Sequence, residues 1–90
     1  MRHARQFIVS GRVQGVGFRF FTRDAAAREG LHGWVRNLSD GRLEISAEGE
    51  AESLARFERS IRHGPPGARV ESVEASDLRV TGNETGFDIR

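Results

Sequence analysis

The chain has 90 residues, enough for one modest hydrophobic core and too few to divide further. It has no cysteine, which excludes disulfide frameworks, thiolate nucleophiles and cysteine-based zinc sites together. The formal net charge of +1 makes no demand for a nucleic acid or an anionic membrane as partner.

All 14 basic residues are arginine, so any single charge at an anion site is a planar guanidinium, which can grip a phosphate through two donors. The N-terminal stretch carries Arg2, His3 and Arg5. The apolar run behind it, Phe7 to Val9, is far too short for a signal peptide or a membrane span, which together with the missing cysteines points to a cytoplasmic protein. Residues 5–11 (RQFIVSG) are β-branched and aromatic enough to form a strand, and they run into a glycine-rich loop, GRVQGVG, over residues 11–17. A helix is expected from Phe18, because Phe18, Phe21, Ala25 and Ala26 fall near helical spacing and Gly30 is placed to terminate the element.

Residues 33–38 (GWVRNL) read as a second strand, with Ser39, Asp40 and Gly41 supplying a hairpin turn. In the third strand Arg42, Glu44, Ser46 and Glu48 alternate with Leu43, Ile45 and Ala47, the period of two expected where one face is buried. Asp40 then reads as a turn residue, and Glu44 and Glu48 as a solvated strand face. Leu54, Phe57 and Ile61 mark an amphipathic second helix closed by GPPG at residues 64–67. Val70, Val73 and Leu78 to Val80 suggest a further strand, and residues 86–90 a short last one. The order is β-α-β-β-α-β with a small extra strand. It predicts one α+β domain over residues 1–90, a ferredoxin-like split β-α-β sandwich with an antiparallel sheet and both helices on one face. Function does not follow from that architecture, which hosts enzymes, RNA-binding modules and sensors alike.

The chemistry is concentrated where the first strand breaks into glycines and a helix starts. Such a place offers a concave run of backbone N–H groups at the positive end of a helix dipole, and both attract a phosphate. Gly11, Gly15 and Gly17 can take φ > 0 and leave no side chain between backbone and ligand, and Arg19 stands at the loop's end. The same spacing also suits glycines that merely turn the chain. The loop lacks the Lys-Ser/Thr ending of a Walker A sequence, and Phe20 occupies the place where a dinucleotide fingerprint would need its third glycine.

GRVQGVGFR at residues 11–19 and GWVRN at 33–37, with Gly41 and Gly49 at matching distances, closely resemble the two signatures of the acylphosphatase family. The similarity spans nearly the whole chain, including GPPGARV at residues 64–70 and the Phe87-x-Ile89 ending. It departs at Leu43, where valine is usual, and in stopping at Arg90 without a terminal aromatic. The resemblance implies a small free-standing enzyme that hydrolyses the carboxyl–phosphate bond of acyl phosphates. It makes Arg19 and Asn37 the catalytic residues, with Gln14, Gly15, Val16, Gly17 and Phe18 binding the phosphoryl group. Gln14 is expected to contribute its backbone amide, its side chain standing at the rim. No metal or cofactor is implied. Inorganic phosphate is expected as product inhibitor, no nucleic acid or membrane as partner, and a monomer by default.

Few groups suffice for such a reaction. The leaving carboxylate departs as a stable anion without a proton donor, and the loose transition state needs positioning and charge stabilisation more than covalent help. His3, His32 and His63 are scattered with no metal-ligand spacing, and Trp34 reads as packing sooner than as a substrate platform. Three other readings stay open. An RNA-binding module shares the topology but should carry aromatics on its third strand, which has none. A non-catalytic phosphate sensor would keep the cradle without needing Asn37. The front domain of a larger carbamoyl-transfer maturation protein would carry zinc-binding cysteines beyond it.

Overall fold

The computed structural model describes residues 1–82 and 85–90. Its first strand, β1 (Arg2–Arg12), begins three residues before the β-branched stretch and is followed by α1 (Phe18–Arg28), β2 (His32–Asn37) and β3 (Leu43–Glu50). Then come α2 (Ala51–His63), β4 (Arg69–Leu78) and β5 (Phe87–Ile89). The strands form one sheet in the order β4-β1-β3-β2-β5. The first four pair antiparallel, as expected, whereas β5 joins β2 in parallel, Gly33 opposite Phe87 and Val35 opposite Ile89, so the sheet is mixed.

Strand alternation sends Phe7, Val9, Val35, Leu43, Ile45 and Ala47 to one face, where they meet Phe18, Ala25 and Ala26 of α1 and Leu54, Phe57 and Ile61 of α2 in a single core. Both helices therefore cover the same face. Phe57 sits at its centre, edge-on to Phe7 with ring centroids 5.9 Å apart and 6.1 Å from Phe87. The α1 terminus is closed as its glycine predicts: Leu31 N–H donates to the Ala26 carbonyl and Gly30 N–H to that of Ala27, a Schellman pattern.

The outer face differs from the sequence expectation. Glu44 and Glu48 do alternate outward, but neither is solvated, their side chains being 12% and 5% exposed. Glu44 accepts from Arg36 and from Gln6 on the neighbouring strands, both at 2.6 Å. Glu48 accepts from Arg2 at 2.9 Å and from the backbone N–H groups of Thr81 and Gly82, at 3.0 and 3.1 Å, in the segment that follows β4. Burial works to raise the Glu48 pKa, yet those three donors outweigh it and hold the carboxyl below its ordinary value. Asp40 is the turn residue expected, accepting the Arg42 backbone N–H at 3.1 Å.

Candidate functional site

β1 leaves the sheet after Arg12, and five residues later α1 begins. Gly15 and Gly17 both have left-handed backbone angles, φ 75° and 77°, and among the described residues no non-glycine residue shares that region, so Val16 between them has negative φ. Such reversals of φ at a loop leading into a helix N-terminus are the kind of backbone that can turn N–H groups toward one concavity. Among the described residues, none of the backbone N–H groups from Gly15 to Phe20 has a hydrogen-bond partner, and Gly17 caps α1 with no side-chain acceptor. Val16 is half-buried, and Phe18 is 1% exposed with its ring in the core.

Gly11 does not belong to this cradle. It lies inside β1 at a register shift against β4, where a Cβ would overlap the Arg69 carbonyl oxygen. Its glycine is required by the close approach of two strands, not by a ligand.

Arg19, in the first turn of α1, donates from Nη1 to the main-chain oxygen of Arg90 at 3.4 Å, and Arg90 N–H donates to Val35 of β2 at 2.8 Å. That contact leaves the Nε and Nη2 edge of the guanidinium for a second acceptor. Asn37 is exposed at the last position of β2. The Gln14 side chain is not at the rim: its Nε2 donates to the carbonyl oxygens of Leu38 at 2.7 Å and Arg42 at 3.0 Å, clamping the loop to the turn that follows Asn37. Loop, Arg19 and Asn37 thus share one end of the sheet, tied across by Gln14 on one side and Arg90 on the other. The clamp had a signal in the sequence, a long amide in a loop of glycine and valine. The Arg90 oxygen had none, because any residue supplies one.

The three histidines stay apart. His32 accepts the Gly86 N–H at Nδ1, 2.9 Å away, and among the described residues no three His, Asp or Glu side chains gather as metal ligands would. A depression of about 450 Å³ lies elsewhere, between α2 and the β1/β4 side of the sheet, lined by His3, Arg5, Leu54, Glu58, Arg62 and Asp77. It touches no part of the loop, and Arg5 and Arg62 within it are paired with Glu58, at 3.0 and 2.8 Å. The open loop is therefore taken as the candidate site. No helix is long and apolar enough to cross a membrane.

A family model described as acylphosphatase matches residues 5–89. The acylphosphatase of Rubrobacter xylanophilus is 52% identical over 82 residues, covering 91% of this chain and 74% of the relative. That of Pseudomonas paraeruginosa is 54% identical over 82 residues, covering 91% and 89%. The crystal structure of acylphosphatase from Bacillus subtilis superposes with a TM-score of 0.94 at 39% identity, covering 100% of this chain and 99% of the other.

Proposed function

The chain belongs to the acylphosphatase family, and from that membership we propose that Arg19 and the backbone N–H groups of Gln14 to Phe18 hold the phosphoryl group while Asn37 orients the attacking water. The reaction is hydrolysis of an acyl phosphate to a carboxylate and inorganic phosphate. The observation that carries the residue assignment is the unpartnered run of N–H groups from Gly15 onward, opening at the α1 N-terminus beside Arg19.

The phosphoryl oxygens enter the cradle, where the amides and the free edge of the Arg19 guanidinium neutralise charge that is spread over the equatorial oxygens in the transition state. The Arg90 oxygen restrains the guanidinium, so little freedom is lost on binding. The Asn37 amide hydrogen-bonds a water in line with the departing carboxylate. That carboxylate leaves without a general acid, and the water's proton passes to the substrate's own phosphate. Guanidinium and amides supply the positive field, so no metal is required.

The acyl end meets none of these groups, which favours broad specificity. The acting unit is the single domain of residues 1–90, read as a cytoplasmic monomer with no nucleic-acid partner. The outer face of β3, where an RNA reader would place aromatics, carries Glu44, Ser46 and Glu48. Phosphate release from benzoyl phosphate tests the assignment: the proposal expects turnover that needs Arg19, whereas a sensor or an RNA-binding module would give none.

A further inference from the structure

We propose that Trp34 is a positioning residue for Arg19, acting through Arg90; this rests on the reading that Arg19 grips the phosphoryl group. Trp34 stands on the outer face of β2, between inward-facing Gly33 and Val35, and does not share the helix-covered face with Arg19. Its ring carries two guanidinium groups, that of Arg36 at 5.3 Å and that of Arg90 at 5.0 Å from the centroid. Arg36 is held independently by Glu44 at 2.6 Å. The Arg90 guanidinium lies on the ring while its main-chain N–H donates to Val35 at 2.8 Å.

The consequence reaches the site because one residue faces both ways. With its guanidinium on Trp34 and its N–H on Val35, Arg90 presents its main-chain oxygen to Arg19 Nη1. That contact is 3.4 Å, at the long limit for a hydrogen bond, so a small displacement of Arg90 breaks it. β5 is only three residues long, and it needs such an anchor at its end. An unrestrained Arg19 loses more rotamer freedom when it closes on phosphate.

The test compares Trp34→Leu, Trp34→Phe, Arg90→Ala and the double variant Trp34→Leu/Arg90→Ala, measuring inorganic phosphate affinity by calorimetry and benzoyl phosphate kinetics on protein verified as folded. Loss of an exposed cation–π contact predicts that Trp34→Leu and Arg90→Ala each weaken phosphate binding by about three- to fivefold. The double variant should be no weaker than either single one, because both break one link, and Trp34→Phe should hold most of the wild-type affinity. The loss should appear chiefly in KM. Wild-type phosphate affinity in both folded single variants, or a double variant that loses the product of the single losses, overturns the inference. Should wild type bind phosphate without turning over benzoyl phosphate, the catalytic reading fails while the phosphate arm still decides the role of Trp34.

Discussion

At position 19 a lysine keeps the charge and loses the fork. Two donors in a fixed plane match two phosphoryl oxygens, and with Nη1 donating to Arg90 the Nε and Nη2 edge is left to present them. Arg19→Ala should therefore cost at least about 10²-fold in kcat/KM with the fold intact, and Arg19→Lys should recover little of it, the scale of losing one preorganised charge-stabilising donor. Steady-state assays beside a circular dichroism spectrum check both. The role proposed for Asn37, at the end of β2, is separable. Asn37→Ala should lower kcat strongly while inhibition by inorganic phosphate changes little, because water positioning belongs to the chemical step and phosphate binding to the loop. Equal losses in both would make Asn37 a phosphate ligand instead. Arg19 and Asn37 stand out in the sequence because each sits inside a short motif. The partners of Gln14 and of Arg19 do not, since the sheet brings them in from 24 and 71 positions away.

The loop and its flanking strand use glycine for different reasons, and substitution separates them. Gly17→Ala meets open space, so its cost is the left-handed backbone alone, about 1–2 kcal/mol. It should fold, with phosphate affinity impaired. Gly11→Ala drives a methyl into the β4 backbone and should lower stability far more, which a urea titration of the two variants distinguishes. Sequence spacing grouped these glycines as one cradle, because a β-bulge is invisible until the partner strand is placed. Glu48 shows the same limit. Alternation put it correctly on the outer face, but the segment after β4 folds back there to donate Thr81 and Gly82 N–H groups to its carboxylate. Its carboxyl is held below the ordinary value, so its contribution is present above the unfolded-state pKa and is lost as pH falls through the folded one. Glu48→Gln should thus cost about 1 kcal/mol at neutral pH, and the gap to wild type should narrow as pH falls below the ordinary glutamate range, as urea midpoints across pH would reveal.

Element order, the hairpin turn and the amphipathic stripe of α2 could all be read from local patterns, and one buried cluster gathers them into a single core. The parallel docking of β5 could not, because a three-residue strand has no periodicity of its own and takes its direction from the β2 edge it pairs with. That docking carries Arg90 to Arg19, so the least legible element of the fold completes the site around the most legible one. The whole molecule then presents a cationic, amide-lined cradle and, among the described residues, no gathered metal ligands. The central claim is that these groups alone drive the reaction. Its most direct measurement is benzoyl phosphate hydrolysis by wild type and Arg19→Ala under exhaustive chelation, and again with Mg²⁺ restored. The account predicts full wild-type turnover in both conditions and a loss of at least about 10²-fold for Arg19→Ala in both. Turnover that vanishes with the chelator and returns with Mg²⁺, or an Arg19→Ala variant close to wild type, would contradict it.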